Sequence, residues 1–472
     1  MLFNSLAFLA FFPVVCLVYF LLPTVRTRNI WLLAASYYFY MSWQPLYALL
    51  LLTSTLITYL AAIGISRSPK HKKIWLVASV TGNLAILFFF KYFNWAADNV
   101  ETVMNATGIA LSVPHLDVLL PVGISFYTFQ ALGYSIDVYW GDVKPERDFL
   151  TYALFVSFFP QLVAGPIERS TGLLPQFRKK HPFDGDKAIT GTQLMLWGFF
   201  LKLVVANNIA HYVDGVYNQL DDQTGGDIFM ASVLFCIQLY GDFAGYSYIA
   251  IGASRIMGFK LMDNFLRPYF FSASIQEYWK RNHISLTTWF MDYIYYPMVG
   301  SSINKYWWCF CIFITFFISG FWHGANWTYV VCFSIFGLYL VVCMLKEKWQ
   351  RKWEKRHGLR KAPWWIWCNR AVTFLLVAFA LIFFRANTIQ DGWYAVRHIF
   401  SSSFFHVADM PFMGLSLIFF LFITEYVIEY KKADRYMERH FLRAHVMMSL
   451  VLAALTLWLG EFTGGQFIYF QF

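Results

Sequence analysis

One short stretch carries groups capable of chemistry inside an otherwise inert part of the chain: Gly320-Phe321-Trp322-His323-Gly324-Ala325-Asn326-Trp327-Thr328. The apolar runs on either side, residues 306–319 and 329–345, contain no Lys, Arg, Asp or Glu. A titratable imidazole between two membrane-type helices is costly to keep there, which makes His323 a candidate functional residue. The two glycines let the backbone bend and let another group come close. Trp322 and Trp327 can wall such a site or anchor it near an interface. The plainer reading of His323 is a solvated polar residue at a helix end. Burial disfavours the imidazolium, so a buried imidazole is neutral at working pH. Neutral imidazole is a general base able to take a proton from a hydroxyl. An alcohol attacking a thioester needs that base, positioning, and donors for the developing oxyanion. The sequence permits this reaction without demanding it.

The composition says what kind of element must hold such a residue. Of the 472 residues 58% are hydrophobic and only 14% charged, and the mean hydropathy is +0.49; soluble proteins carry about 25% charged residues. The chain therefore reads as a polytopic membrane protein. Aromatics reach 21%, which suits long interfacial belts and aromatic-lined cavities. All seven cysteines except Cys368 lie in apolar runs and read as small packing residues. Cys309-x-Cys311 has no partner pair at zinc spacing, and no metal is expected.

Taken in order, residues 5–22 are about long enough to span, with neither the basic flank nor the cleavage site of a signal peptide. Residues 30–65 read as a helical hairpin broken at Ser42-Trp43-Gln44-Pro45. Residues 74–90 span again, and a loop is expected from there to about residue 115. Two pieces, 119–139 and 149–164, are interrupted by Pro121, Gly123, Gln130, Gly133, Asp137 and the break at Gly165-Pro166. Irregular backbone at membrane depth is tolerated only when buried in protein or lining a wet cavity. Residues 118–176 are thus expected to be helices and re-entrant pieces around an internal chamber. Residues 189–206 and 229–256 are further spans. The second carries Gln238, Asp242 and Ser247 at roughly helical spacing, a stripe that should face protein or a cavity. Residues 260–300 are polar for a membrane protein and read largely as an amphipathic helix at the cytoplasmic face, with His283 pointing inward as the alternative.

Three basic clusters set a topology: 66–73, 346–361 and 431–443. Positive loops stay cytoplasmic. Counting outward from them places both termini outside the cytoplasm, the loop 385–410 outside as well, and His323 toward the outer end of its helix pair or recessed below it. The formal net charge of +10 is accounted for by these clusters, so nucleic-acid binding is not expected. The chain contains no GxxxxGK[ST], GxGxxG, GxSxG or HExxH, and no repeat at the scale of inverted transporter halves is visible.

Several long motifs carry a resemblance that runs nearly end to end. They are Leu120-Pro121-Val122-Gly123-Ile124-Ser125-Phe126-Tyr127-Thr128-Phe129-Gln130 and Phe159-Pro160-Gln161-Leu162-Val163-Ala164-Gly165-Pro166-Ile167. Tyr240-Gly241-Asp242-Phe243-Ala244-Gly245-Tyr246-Ser247 follows. Trp279-Lys280-Arg281-Asn282-His283-Ile284-Ser285-Leu286, Asp292-Tyr293-Ile294-Tyr295, the Phe321–Thr328 stretch and Phe467-Ile468-Tyr469-Phe470-Gln471-Phe472 complete the set. The chain resembles the membrane-bound O-acyltransferase family, most closely its bacterial polysaccharide O-acetylation branch, which includes the membrane subunit of alginate O-acetylation. The resemblance implies that His323 is the family's near-invariant histidine and His283 its second motif histidine, both catalytic. It also points to Gln130, Pro166, Asp242, Asn282, Ser285, Asp292, Trp322 and Asn326 as residues lining the substrate path. Three positions depart from the family pattern: Asn282 stands where relatives often have an aromatic, Met291 where they often have Arg, and Phe336 where a further histidine is common.

The fold implied is a single all-α membrane domain over residues 1–472, a ring of spanning helices with re-entrant and tilted helices around a central funnel. The implied activity is O-acetylation of an exported or cell-surface polysaccharide. Acetyl-CoA would be the cytoplasmic donor, with no permanently bound cofactor. A glycan or a separate extracytoplasmic acetyltransferase would be the acceptor, and the bacterial inner membrane the location. D-alanyl transfer to teichoic acid and peptidoglycan O-acetylation are neighbouring alternatives. A transporter with a histidine proton relay is the alternative of another class.

Overall fold

Inside a bilayer every backbone N–H and C=O must find a partner within the chain, which favours helices for an apolar polypeptide of this kind. In the computed structural model every regular element among the described residues is helical. Eight of those helices are long and apolar enough to cross a membrane, so the chain is an all-α polytopic membrane protein. The described residues are 1–472 apart from 118–119, 164, 267–268, 402, 409, 432–440, 463–466 and 469–472. Most of the third basic cluster and the C-terminal Phe472 therefore lie outside them. Met1–Leu196 with Tyr246–Met262 form one compact unit, and Trp197–Gly245 with Asp263–Phe472 form a second.

In the first unit the expected hairpin is present as Val25–Met41 and Tyr47–Arg67, the former opening on a Thr24–Thr27 capping box. Tyr47–Arg67 packs against Lys72–Leu87 and Ile124–Trp140. Side-chain hydrogen bonds join these helices where hydrophobic driving force between them is weak. Ser54 donates to Asn83 at 2.5 Å, Ser79 and Ser135 pair at 3.0 Å, and Tyr152 donates to Thr58 at 2.7 Å. Ile124–Trp140 and Phe149–Ser157 are buried along most of their length, as expected for residues 118–176. Two expectations need correction. Leu6–Leu21 has 16 residues, about 24 Å of helix, short of the roughly 20 residues a span needs. The helix at Lys72–Leu87 does not end in a loop: a π-helical turn, Phe88–Tyr92, carries it into Phe93–Ala106.

The second unit contains the histidine motif. Lys305–His323 and Trp327–Arg356 form a tight hairpin, with Asn304 and Asn326 accepting from Tyr306 and Thr328 N–H as N-caps. Gly320 allows the close approach: a Cβ there would lie 2.7 Å from Val330 Cα. The basic cluster 346–361, expected as a loop, is mostly the continuation of the 30-residue helix Trp327–Arg356. At about 45 Å that helix outruns a hydrocarbon core of about 30 Å, so its charged end need not unwind. The segment 385–410, also expected as a loop, contains the helix Ile389–Ile399, opened by a Thr388–Asp391 capping box. Residues 260–300 are not one amphipathic helix. They hold the short helices Ile275–Arg281, Ile284–Phe290 and Tyr296–Val299 and the π-turn Met291–Tyr295. The break comes from extended Asn282 followed by His283 in the left-handed region.

Candidate active site

His323 is the last residue of its helix, and the chain leaves it through extended Gly324. Its side chain is 3% exposed. Nδ1 lies 2.8 Å from the Ser319 carbonyl one turn back. A carbonyl only accepts, so the proton of the neutral ring sits on Nδ1 and Nε2 is the basic nitrogen. The ring stacks on Phe333 with centroids 4.0 Å apart and meets the edge of Phe384 at 5.9 Å. The surroundings of His323 are aromatic and buried, so the solvated helix-end reading does not hold.

His283 reaches the same place from the other motif. Its ring is 6.0 Å from that of Trp322, which in turn is 4.8 Å from His323; Phe243 packs on it at 4.4 Å. Asn264 Oδ1 lies 3.3 Å from His283 Nδ1 and accepts from the Ser285 hydroxyl at 2.9 Å and the Ser285 N–H at 3.2 Å. Among the described residues His283 is the one non-glycine with positive φ, at 47°. A side chain held there costs about 1–2 kcal/mol and marks a position the surrounding structure over-determines. Burial first, and the neighbouring His323 second, push His283 well below the ordinary imidazole range, so it is neutral. Asn282, beside it, donates to the Tyr278 hydroxyl at 2.8 Å. Phe336 stacks on Tyr278 at 5.9 Å and an angle of 6°, and meets Trp279 at 5.0 Å.

A cavity of about 440 Å³ adjoins this aromatic cluster. Phe384, which touches His323, is in its wall together with Asn326 and Tyr329 from the start of the Trp327–Arg356 helix. Asn326 also donates to the Asn387 carbonyl at 3.1 Å, tying the hairpin elbow to the end of the Pro363–Arg385 helix. Asp242 and Gln238 contribute from the Gly225–Ile256 helix, and both are buried, as the polar stripe predicts.

Other lining groups were not singled out from the sequence. Lys202 forms a buried ion pair with Asp242, and Arg385 donates to Asp214 at 2.7 Å. Lys202 sits on the π-turn Phe200–Ala206, a distortion frequent at functional sites. The signal for it was present: a lone lysine in the apolar run 197–206. Asn264 gave no such signal.

Of the eight expected lining residues, Asp242 and Asn326 line this cavity. Asp292 is exposed on the π-turn Met291–Tyr295 and does not line the cavity. Gln130 and Pro166 belong to the first unit. Gln130 donates to the Phe155 carbonyl at 2.7 Å, as does Gln161, so it secures the chain break at the end of Phe149–Ser157. Pro166 is buried in the irregular segment between Phe159–Leu162 and Ser170–Leu173.

A probable alginate O-acetylase of Pseudomonas aeruginosa is 34% identical over 419 residues, 87% of this chain and 77% of that protein. The corresponding protein of Pseudomonas putida is 37% identical over 404 residues, 83% and 78% of the two chains. A peptidoglycan O-acetyltransferase of Helicobacter pylori is 31% identical over 425 residues, again 83% and 78%. The family model for membrane-bound O-acyltransferases matches residues 146–386, which hold both histidines, the Lys202–Asp242 pair and Arg385. The chain belongs to the membrane-bound O-acyltransferase family.

Proposed function

We propose that this O-acyltransferase moves acetyl groups from cytoplasmic acetyl-CoA across the membrane for O-acetylation of an exported or cell-surface polysaccharide of the alginate type. The observation that carries the reading is the His323 imidazole, buried among aromatic rings with its Nδ1 proton directed at the Ser319 carbonyl. Nε2 then accepts the acceptor hydroxyl's proton as that oxygen attacks the thioester carbonyl. The new C–O bond forms, the C–S bond breaks, and the proton passes to the departing CoA thiolate as the thiol. Positioning in a water-poor site strengthens every electrostatic interaction in this step. His283, held neutral, shapes the same chamber through Trp322.

Membership in the family removes the transporter alternative. Acetyl rather than D-alanyl transfer is supported by the two alginate relatives, at 34% and 37% identity. The orientation rests on the basic end of Trp327–Arg356 facing the cytoplasm. From Trp327 to Lys346 the helix rises about 28 Å, roughly one hydrocarbon thickness, so the elbow at His323 lies near the opposite boundary. This fits an inner-membrane protein that hands acetyl outward to a glycan or to an extracytoplasmic acetyltransferase partner.

The test is product analysis. Vesicles containing the protein, given acetyl-CoA labelled in the acetyl group together with the exported polysaccharide and the candidate partner, should place base-labile label on the glycan. Label appearing on peptidoglycan instead, or transfer only from a D-alanyl carrier, would replace the acceptor or donor assigned here.

A further inference from the structure

Arg385 is the last residue of its helix and lines the cavity beside Phe384. Its guanidinium lies over the buried Tyr217 ring, 5.3 Å from the centroid. Among the described residues it makes one hydrogen bond, from Nη2 to Asp214 Oδ1 at 2.7 Å. Arginine carries five N–H donors in a rigid fork, so most of this fork has no protein partner there. The unused nitrogens keep accessible surface, in a side chain that is 16% exposed at the cavity wall. The Asp214 contact is a weak anchor: that carboxylate is 50% exposed, and an ion pair in contact with water contributes little. A helix C-terminus attracts a cation, and an arginine at a membrane boundary reaches for water. Both of those roles leave the head group in solvent, whereas this one is mostly covered and set against a cavity.

An open guanidinium fork takes an oxyanion, and a planar carboxylate matches it with two parallel bonds. The rest of the lining chooses among anions. Lys202 and Arg385 are balanced by Asp242 and Asp214, so the described walls hold no surplus positive charge for a dianionic phosphate. A carboxylate brings one negative charge only. Asn218, Asn326 and Asn387 offer amide groups to hydroxyls, and Tyr329 offers an aromatic wall. The volume of about 440 Å³ falls in the range of small-ligand sites. One carboxylate, several hydroxyls and an apolar C–H face on a ring describe a uronate sugar.

We propose that Arg385 is the specificity-determining residue for the acceptor: its guanidinium donates to the carboxylate of a uronate ring held in this cavity, so that carboxylated glycans are selected over neutral ones. The inference rests on the O-acetyltransferase reading and narrows its acceptor to a polyuronate. It separates recognition of the acceptor, at Arg385, from proton transfer, at His323. Asp214 keeps the guanidinium oriented without occupying the whole fork.

The experiment uses the full-length protein in detergent with acetyl-CoA as donor. Two acceptors are compared, a short oligouronate and the same oligosaccharide with its carboxylates reduced to alcohols. Wild-type kcat/KM should favour the oligouronate by about tenfold to a hundredfold, the range for one hydrogen bond between charged groups. Arg385→Gln should bring that ratio close to one by raising the KM for the oligouronate. Arg385→Lys keeps the charge but not the fork and should give an intermediate ratio; it also reads the site if the Gln variant does not fold. Oligouronate binding measured without acetyl-CoA should weaken by the same factor in Arg385→Gln. A wild-type ratio near one, or a ratio unchanged in Arg385→Gln, overturns the proposal. Wild-type protein that passes acetyl only to a protein hydroxyl also overturns it. Wild-type protein that consumes no acetyl-CoA yet binds the oligouronate through Arg385 refutes the acetyltransferase reading and leaves the carboxylate site standing.

Discussion

Lys202 and Asp242 form an ion pair whose side chains are 3% and 1% exposed. Asp242 also accepts the Ile468 N–H at 2.7 Å through its other oxygen. Breaking a buried pair from one side leaves an uncompensated charge and costs about 3–5 kcal/mol, whereas replacing both partners by apolar groups is close to neutral. Lys202→Met should therefore destabilise by about 3–5 kcal/mol, and Asp242→Leu by a similar amount. The double variant should lose only the bond to Ile468, about 1 kcal/mol. Unfolding entropy of about 2.1 cal/mol/K per residue gives roughly 1 kcal/mol/K for 472 residues. Each single variant should thus lower the melting temperature in detergent by about 3–5 °C and the double variant by about 1 °C. Fluorescence-detected thermal unfolding of the four proteins measures this directly. A double variant less stable than either single variant would refute the argument, because it would show that the two charges are not held by each other.

The depressed His283 makes a pH prediction. Its folded-state value lies well below the ordinary imidazole value of about 6.5. The neutral form is therefore favoured by folding, and that stability is present above pH 6.5 and lost as pH falls below it. Melting temperatures between pH 8 and pH 5 should decline at the acid end, and His283→Gln should flatten the decline; equal slopes would exclude His283 as its source. The orientation predicts that single cysteines introduced in residues 346–361 of a background lacking Cys368 react only with reagents admitted to the cytoplasmic side. Labelling from the outer face would reverse the sidedness assigned to donor and acceptor.

Much of the fold was legible because a membrane leaves few choices. The hairpin around His323 follows from two charge-free runs meeting at Gly324-Ala325-Asn326, and the structure ends and restarts the helices there. The buried face of Gly225–Ile256 was readable from Gln238, Asp242 and Ser247, three polar side chains at helical spacing in an apolar run. What failed has equally physical causes. Charge marks where a span leaves lipid, not where a helix ends, so residues 346–356 looked like a loop and are helical. The helix Ile389–Ile399 has only one sequence signal, the capping-box pattern Thr388-x-x-Asp391, in a stretch too polar to read as a span. The sequence does not show what the buried Gln130 amide bonds. Its partner, the Phe155 carbonyl, is 25 residues away in sequence. Asp292 was assigned to the site from its motif, but the π-turn that carries it shifts the helical register there and leaves it exposed.

The central claim is that His323 Nε2 takes the proton of the acceptor hydroxyl, and one substitution isolates it. His323→Gln keeps most of the volume packed against Phe333 and can still donate to the Ser319 carbonyl, yet it has no basic nitrogen. The measurement is the rate of acetyl-CoA consumption by purified wild-type and His323→Gln protein, with acceptor present and thermal unfolding checked in parallel. The account predicts a loss of about 10²–10⁴-fold with a nearly unchanged melting temperature. Consumption at the wild-type rate by His323→Gln would contradict it.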